Sequence, residues 1–371
     1  MLEREKIDKS ICSVKQLPNY SDLSSEQREQ LAQVVQAHPM RITPYYFSLI
    51  NWNDPYDPIR KIAVPTLEES NLEGSYDTSG EAENTKMPGL QHKYAETALI
   101  LATNRCATYC RHCFRKRLVG LPTREIVRRF EDAADYVERH SEINNVLISG
   151  GDPLVLSNEV IATFLKTLTK IEHLKFIRFG SRTPVTLPSR LSDPELLALF
   201  RKYSQINRRL YIVTQFNHPR EITPQSISAV GNLINAGLLM SNQTVLLRGV
   251  NDDPDTLATL MNRLVSIGVT PYYVFQCRPV KRVKTQFQVP ICEGVRIVEK
   301  AKADCNGHSK RFKYVMSHTT GKVEILGIID DEIYFKYHEA KNRKNLGVMF
   351  KRRANEKAGW LDDFSTEDRL D

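Results

Sequence analysis

Apolar and polar positions alternate in a repeating pattern between residues 97 and 304. Short apolar or β-branched runs predict strands, and a stretch with helical spacing follows each of them. The predicted strands are 97–103, 145–149, 175–180, 210–215, 243–248 and 271–276. The predicted helices are 123–140, 158–171, 193–204, 222–236, 254–267 and 290–304. Successive strand–helix units of this kind predict a parallel sheet with right-handed crossovers.

The first predicted strand, 97–103, is not followed by the long glycine-rich turn of a doubly wound nucleotide-binding sheet. We therefore predict an α/β fold built as a partial (β/α)6 barrel of the TIM type, with a helical N-terminal extension and a small C-terminal segment. In such barrels the loops at the carboxyl ends of the strands build the active site. The loop after 97–103 is thus where chemistry is expected.

The limits of the repeat divide the chain into three predicted segments. They are a helical or irregular N-terminal extension at 1–90, the (β/α)6 core at 91–310 and a C-terminal segment at 311–371. Within the C-terminal segment, the pattern predicts a short strand at 312–316. It also predicts that 323–329 and 333–337 pair as a hairpin.

The N-terminal extension contains one clear helical pattern and one polar stretch. A helix is predicted at 26–36, and Ser24 or Ser25 can cap it. Residues 71–87 are polar and acidic and contain Gly and Ser. This composition predicts a loop or a mobile, lid-like segment.

The composition is ordinary for a globular protein, with 41% hydrophobic and 26% charged residues among 371. We expect no membrane span, because no apolar run is long enough to cross a bilayer. We expect no signal peptide, because residues 1–9 are charged and lack an apolar core.

The net charge of +8 has two interpretations. It can indicate a nucleic-acid partner, or cations that serve anionic ligands in a site while the remaining cations cover a solvated surface. We favour the second interpretation. The most basic stretch, residues 341–357, contains one aromatic residue, Phe350, and so lacks the stacking pattern of a single-strand binder.

Three of the seven cysteines, Cys106, Cys110 and Cys113, have the spacing C-x3-C-x2-C in the loop after the first predicted strand. Three thiolates on one loop can hold three irons of a [4Fe–4S] cluster and leave the fourth iron open to a small molecule. A zinc site usually needs four ligands in two pairs, and no second pair is present. A disulfide scaffold does not fit a chain of this length with an odd cysteine count. Free cysteines favour a reducing cytoplasm.

The second predicted strand ends in Gly150-Gly151-Asp152. Two glycines allow a backbone to approach a ligand closely, and Asp152 adds an acceptor beside them. Together with the cysteine motif, this turn resembles the radical S-adenosylmethionine (SAM) superfamily. The chain is similar, more narrowly, to the lysine 2,3-aminomutase family over about residues 88–322. Five segments carry the narrower resemblance: 109–113, 180–185, 216–223, 242–252 and 271–273.

The resemblance implies an aminomutase reaction with three cofactors: a [4Fe–4S] cluster, SAM and pyridoxal 5′-phosphate (PLP). The cluster would cleave SAM to a 5′-deoxyadenosyl radical that takes a hydrogen from carbon 3 of an amino acid held by PLP. The amino group would then move from carbon 2 to carbon 3. The resemblance also implies a flavodoxin- or ferredoxin-type electron donor and self-association into a homo-oligomer.

The resemblance assigns roles to individual residues. The three motif cysteines would hold the cluster. Residues that would contact SAM or PLP are Gly150, Gly151, Asp152, Ser181, Arg182, Gln215, Gln243, Lys93 and Tyr94. Lys322 would bind PLP covalently, and Lys93 and Tyr94 would hold the PLP phosphate, although Lys93 replaces an arginine of the family. An alternative for Lys322 is a surface lysine that enters a hairpin.

The residues expected to contact substrate include two departures from the family pattern. Arg115 matches the arginine that pairs with the substrate carboxylate. Arg278 and Ser317 stand where lysine-using members have two aspartates that hold the side-chain ammonium. A cation facing an ammonium at about 4 Å is repulsive by about 1–4 kcal/mol. We therefore predict a substrate other than lysine, such as glutamate or another acidic or polar amino acid.

Other functions remain open from the sequence. The chain can be a lysine 2,3-aminomutase itself, or an enzyme of this family that acts without PLP or on a larger, peptidyl substrate. A different class would be a non-catalytic iron–sulfur electron carrier or an RNA-binding protein, for which RNA binding would depend steeply on salt. The cysteines outside the motif loop in the second half of the chain, Cys277, Cys292 and Cys305, are too dispersed to indicate a metal site, and core packing explains them.

Overall fold

A computed structural model describes residues 9–364. Residues 1–8 and 365–371 lie outside the described part. The charged segment 1–9, apart from Lys9, and the end of the predicted C-terminal segment therefore fall outside the described residues.

One sheet of twelve strands passes through the described residues, and its strands lie side by side in chain order. The strands are β1 (Thr85–Met87), β2 (Leu90–Tyr94), β3 (Thr97–Thr103), β4 (Asn145–Gly150), β5 (Phe176–Gly180), β6 (Leu210–Thr214), β7 (Leu239–Leu246), β8 (Thr270–Gln276), β9 (Lys313–His318), β10 (Gly321–Ile329), β11 (Glu332–Ala340) and β12 (Met349–Arg353). Strands β3 to β9 pair in parallel. Antiparallel strands extend the sheet at both ends.

Helices connect the parallel strands and also form the N-terminal extension. The α-helices are α1 (Ser25–Ala37), α2 (Pro44–Ser48), α3 (Pro58–Ala63), α4 (Glu81–Asn84), α5 (Phe130–Arg139), α6 (Asn158–Leu168), α7 (Thr183–Thr186), α8 (Pro194–Tyr203), α9 (Pro224–Asn235), α10 (Pro254–Ser266), α11 (Lys284–Phe287) and α12 (Ile291–Ala303). Ser24 caps α1: its side chain accepts from Gln27 N at 3.2 Å. Within residues 9–364, no helix has both the length and the apolar character needed to cross a membrane.

The predicted α/β fold is confirmed, since each predicted strand–helix unit has a counterpart in β3 to β8 and their helices. The main differences lie at element ends. The predicted helix 123–140 begins only at Phe130, because the segment before it runs along β3, where Val127 N donates to Leu101 O at 2.8 Å. The strand predicted at 243–248 begins at Leu239, because polar residues in its first half obscured the apolar pattern.

The strand predicted at 312–316 belongs to the barrel rather than lying outside it. As β9 it pairs in parallel with β8, with Phe275 opposite Val315, so the structure has one more parallel strand than predicted. The predicted hairpin 323–329/333–337 is formed by β10 and β11.

The lid-like loop predicted at 71–87 is wrong in its second half. Residues 81–84 form α4 and residues 85–87 form β1, and Glu81 is buried. Strand β2 was not predicted either, so Lys93 and Tyr94 lie on a strand rather than before the first one.

The sheet curls until its two ends approach each other. Lys93 Nζ on β2 donates to the backbone carbonyl of His318 on β9, although six strands separate β2 from β9 in the sheet order. Lys341 and Glu83 form an ion pair, at 2.8 Å, across the same gap. The apolar core lies between the sheet and its outer helices, where Ile177 and Phe179 of β5 are fully buried. Side chains of the opposite parity face the interior of the partial barrel.

Candidate active site

The loop after β3 carries the motif cysteines, and the N-terminal extension holds this loop in place. Tyr109 N donates to Arg41 O at 2.9 Å, and Arg111 N donates to Ile62 O at 2.7 Å. The buried Arg111 guanidinium donates from Nε to Glu69 Oε1 at 2.8 Å and from Nη2 to Oε2 at 2.6 Å. A bidentate pair of this kind fixes orientation as well as position. The extension therefore acts as a brace for the cysteine loop.

The three motif thiols, Cys106, Cys110 and Cys113, line one internal cavity of about 350 Å³. All three are free thiols. Burial raises the pKa of Cys106 well above its usual value and raises the pKa of Cys113 to about 11. Bound metal ions deprotonate coordinating thiols, so a cluster would supply the charge that these buried thiolates need. Three convergent sulfur donors fit a [4Fe–4S] cluster with one iron free of protein ligands.

The turn after β4 packs directly against the cysteine loop. Asp152 N donates to Arg105 O at 2.8 Å. A Cβ atom at Gly150 would lie 2.3 Å from Thr103 O, and one at Gly151 would lie 2.3 Å from Arg105 O. The glycine pair is therefore required by the approach of the cysteine loop itself, and not only by a ligand. The two motifs form one structural unit.

The Asp152 carboxylate ties the turns after β4 and β5 together. Ser181 Oγ donates to Asp152 Oδ1 at 2.7 Å, and Arg182 N donates to Oδ2 at 2.8 Å. Burial raises the pKa of Asp152, although these hydrogen bonds oppose the shift. The Asp152 side chain thus organises the wall of the cavity.

Arg182 places a cation against the cluster site. Its Nε donates to Gln215 O at 2.9 Å, its Nη2 donates to Glu221 Oε1 at 2.6 Å, and its Nη1 donates to the Cys110 thiol. Gln215, after β6, and Gln243, on β7, line the same cavity. The structure therefore brings together the residues predicted to contact the cluster and SAM.

Glu81 of α4 forms an ion pair with Arg115, the arginine that was predicted to bind the substrate carboxylate. Arg115 Nη2 lies 3.3 Å from Glu81 Oε1, and both side chains are 7% exposed. Arg117 also pairs with Glu81. Burial alone would raise the pKa of Glu81, but Arg115, Arg117 and Arg278 lower it below its usual value. The cavity therefore holds an ionised carboxylate of its own beside Arg115.

Arg278, after β8, is a half-buried cation with a neutral hydrogen-bond partner. Its Nη1 donates to Ser79 Oγ at 2.8 Å, and its guanidinium lies 4.1 Å from the centre of the Phe114 ring. No carboxylate lies within 4.0 Å of it in residues 9–364. Burial lowers the pKa of Arg278 to about 10, so the side chain stays charged at neutral pH. Ser317 of β9 lines the same cavity.

Lys322 is the second residue of β10 and lies directly opposite Ser317 of β9. Its Nζ lies 2.9 Å from Glu339 Oε2 and 4.7 Å from the centre of the Tyr273 ring. The Lys322 side chain is 14% exposed and lines the cavity. It enters a hairpin, as the alternative interpretation supposed, but it is not a surface lysine.

Lys93 and Tyr94 offer a cation and a hydroxyl at the same end of the cavity. Lys93 Nζ donates to Ser79 O at 3.1 Å and to His318 O. Burial, and then Arg278 and other nearby cations, lower the pKa of Lys93 to about 8. The buried Tyr94 Oη has no hydrogen-bond partner among the described residues. A buried hydroxyl without a partner beside a cation fits an anionic ligand such as a phosphate.

Comparison with known proteins places this geometry in a family. Residues 100–261 match the Radical SAM superfamily. The L-lysine 2,3-aminomutase of Clostridium subterminale is 40% identical over 308 residues, which are 82% of this chain and 73% of that protein. The chain belongs to the lysine 2,3-aminomutase family of radical SAM proteins. An Aquifex aeolicus (strain VF5) protein provisionally named an L-lysine 2,3-aminomutase is 44% identical over 346 residues, 93% of this chain and 92% of its own.

The names of the relatives mention two different substrates, lysine and glutamate. The glutamate 2,3-aminomutase of Clostridioides difficile (strain 630) is 36% identical over 291 residues, which are 78% of this chain and 68% of that protein. Membership confirms the predicted family and the predicted enzyme class, an isomerase of the radical SAM aminomutase type. It also supports the predicted cofactor set of this family: a [4Fe–4S] cluster, SAM and PLP.

Three charged residues of the cavity were missed from the sequence: Glu81, Arg178 and Glu339. Glu81 lies in a polar stretch with no local signal, and its burial depends on arginines about 35 positions away along the chain. Arg178 could have been found. It alternates with apolar neighbours inside a predicted strand, which places it on the barrel-facing side.

Proposed function

We propose that this chain is a radical SAM, PLP-dependent 2,3-aminomutase that moves an amino group from carbon 2 to carbon 3 of an amino acid other than lysine. An acidic amino acid such as glutamate is the favoured substrate. The observation that carries this proposal is the half-buried Arg278, a charged side chain without a carboxylate within 4.0 Å in residues 9–364.

The electrostatics of the cavity support an acidic substrate. Lysine would bring its ammonium toward Arg278, at a cost of about 1–4 kcal/mol at 4 Å in a moderately polar site. A side-chain carboxylate would instead provide the anion that Arg278 lacks, and a planar guanidinium can bind it at two points. Ser317 beside Lys322 adds a neutral hydroxyl in place of a second charge.

The residues of the chain divide the remaining tasks between them. The motif cysteines hold the cluster, the turn at Gly150 holds SAM, and Lys93 with Tyr94 holds the PLP phosphate. Lys322 anchors PLP, and its ion pair with Glu339 orients its amine toward the cavity. When bound, the cofactors supply the radical and the electron sink, while the protein orients the substrate and excludes water.

Lysine itself is the second candidate substrate, because Glu81 and Glu339 add two carboxylates to the cavity besides Asp152. Each is already paired within the protein, Glu81 with Arg115 and Arg117, and Glu339 with Lys322. An ammonium would have to displace one of these cations. The cavity therefore offers a substrate ammonium no unpaired carboxylate at Glu81 or Glu339, whereas Arg278 can accept a substrate carboxylate.

The need for free thiols at the cluster site also indicates the cell compartment of the enzyme. We place the protein in a reducing cytoplasm, where three free thiols persist. Cleavage of SAM needs one electron, so a low-potential carrier of the flavodoxin or ferredoxin type would serve as the donor.

The first test is a substrate comparison under anaerobic conditions. The chain is reconstituted with iron, sulfide, PLP, SAM and dithionite and offered glutamate, aspartate and lysine separately. We expect a β-amino acid from an acidic substrate, together with 5′-deoxyadenosine. β-Lysine as the main product would refute the assignment of Arg278. SAM cleavage without any rearranged product would refute a free amino acid as substrate and direct the search to peptidyl substrates.

A second test addresses PLP directly. Lys322→Ala is expected to abolish the long-wavelength absorbance of bound PLP, because Lys322 would supply the amine that bonds to PLP, while the other lysine of the cavity, Lys93, is assigned to the phosphate. Lys313→Ala is the control, since Lys313 is 41% exposed and pairs with Glu324 outside the cavity. Equal PLP absorbance in both variants would remove Lys322 from the proposal.

A further inference from the structure

Arg178 is a second cavity cation that the proposed function leaves without a role. It lies on β5 and lines the cavity. Its Nε donates to Asn145 Oδ1 at 2.9 Å. Its two terminal nitrogens have no hydrogen-bond or ion-pair partner among the described residues. A guanidinium with two free terminal donors facing an internal cavity is arranged to receive an anionic oxygen.

The surroundings of Arg178 place it at the Lys322 end of the cavity. The groups that act on its charge are Tyr272, Tyr273 and Glu339. Two of these groups also surround Lys322, whose Nζ lies 2.9 Å from Glu339 and 4.7 Å from the Tyr273 ring. Arg178 and Lys322 therefore approach the same small volume from β5 and β10, on different walls of the partial barrel.

Strand β2 already supplies residues suited to a phosphate close to Lys322, whose Nζ lies 5.9 Å from the centre of the Tyr94 ring. Lys93 and Tyr94 lie on β2, and they supply a cation and a hydroxyl without a protein partner. PLP carries a second anionic oxygen, the ring phenolate, on the carbon next to its aldehyde. Any residue that binds the aldehyde carbon must therefore have the phenolate close by.

We propose that Arg178 binds the phenolate oxygen of PLP anchored at Lys322. This inference rests on the proposed function and adds to it a specific cofactor-binding residue. A guanidinium at this position stabilises the phenolate and opposes protonation of the nitrogen bound to the neighbouring carbon. Arg178 thereby sets the pH above which the nitrogen that joins Lys322 to PLP loses its proton.

The test uses the full chain with its reconstituted cluster and compares Arg178→Gln and Arg178→Lys with the native protein. PLP is titrated, and the pH at which the long-wavelength absorbance is lost is recorded. For Arg178→Gln we expect binding about tenfold to a hundredfold weaker. We also expect the pH of band loss to rise by roughly one unit, because a cation near the proton has been removed. Arg201→Gln, on the exposed face of α8, is the charge-matched control.

Pyridoxal, which lacks the phosphate, separates the phenolate from the phosphate. If Arg178 contacts the phenolate, Arg178→Gln weakens pyridoxal and PLP by the same factor. Weaker binding of PLP with unchanged binding of pyridoxal would assign Arg178 to the phosphate. An unchanged pH of absorbance loss would show that Arg178 does not contact the phenolate. Either result overturns the inference. Arg178→Lys keeps the charge, so its band loss should stay close to the native pH; it decides the question if the glutamine variant does not fold. A native chain that binds no PLP would overturn both proposals, whereas native binding with unaffected Arg178 variants overturns only this one.

Discussion

The carboxylate of Glu81 lies 3.3 Å from the guanidinium of Arg115, and both groups are inside the cavity wall. This ion pair joins α4, from the stretch expected to be a loop, to the segment that follows the last motif cysteine. Under the proposed function, the substrate carboxylate would therefore bind Arg115 beside an existing buried carboxylate. It also gives the short helix α4 a structural role that its length of four residues does not suggest.

Glu81→Gln is predicted to destabilise the protein by about 3–5 kcal/mol, since removing one partner leaves buried cations uncompensated. Arg115 and Arg117 pair with this carboxylate, and the charge of Arg278 acts on it from a longer distance. The free energy of unfolding, from anaerobic urea titration, measures the effect. Glu83→Gln is the matched control, because Glu83 lies on the same helix and is 73% exposed. It should change stability by less than about 1 kcal/mol. Equal effects in the two variants would show that the buried pair has no special role.

The glycine pair after β4 supports a second prediction. Gly151→Ala is expected to lower iron and sulfide content after reconstitution, because the new Cβ would lie 2.3 Å from the Arg105 carbonyl and push the cysteine loop away. We expect a loss of stability of about 1–3 kcal/mol from the same overpacking. Iron per chain and the free energy of unfolding are the two measurements.

Gly231→Ala provides the control for this substitution. Gly231 lies in α9, and a Cβ atom there would meet no other atom within 4 Å. Alanine should leave the iron content unchanged and stabilise the helix by up to about 1 kcal/mol. Full iron loading of Gly151→Ala would contradict the view that the two motifs form one packed unit.

The barrel could be predicted because each parallel strand carries apolar or β-branched residues, and the residues that face the outer helices are buried, as the alternating burial along β4 and β7 shows. Each predicted strand of the repeat overlaps an observed strand, β3 to β8. The antiparallel additions could not be predicted in the same way. Strand β1 has three residues and strand β12 reads Met349–Arg353, with three cations among its five residues. Their stability comes from pairing with neighbouring strands and not from a local pattern.

The residues of the candidate site also fall into two groups, those that a local motif predicts and those that only the tertiary structure brings together. The cysteine loop and the Gly150 turn are short motifs whose chemistry is visible in consecutive residues. Glu81 and Glu339 are visible only when distant elements meet, because a single carboxylate in a polar stretch gives no signal. Arg178 lies between these cases, since the alternation within its strand points it toward the barrel interior.

The pKa of Lys93 leads to a pH-dependence prediction. Burial and the cations Arg278, Lys341 and Lys322 lower this pKa to about 8, while Glu81 raises it. Only the protonated amine can pair with the PLP phosphate. PLP affinity should therefore fall several-fold between pH 8 and 9 and approach a limit of about tenfold per pH unit.

Pyridoxal provides the reference for this measurement, because it has no phosphate for Lys93 to bind. The ratio of PLP to pyridoxal affinity should fall above pH 8 in the native protein. It should stay level in Lys93→Arg, whose guanidinium keeps its proton over this range. A ratio that stays level in the native protein would remove Lys93 from the phosphate site.

The brace behind the cysteine loop leads to the last prediction. Glu69 is fully buried and pairs with both Arg111 and Lys116, which flank the last motif cysteine. Glu69→Gln leaves two buried cations without their carboxylate, so we expect a loss of about 3–5 kcal/mol in the free energy of unfolding. The adjacent Glu68 is exposed, and Glu68→Gln removes the same charge as a control. Because Arg111 fixes the loop, Glu69→Gln should also lower iron content at temperatures where the variant is still folded. A folded variant with full iron content would show that the brace stabilises the N-terminal extension without shaping the cluster site.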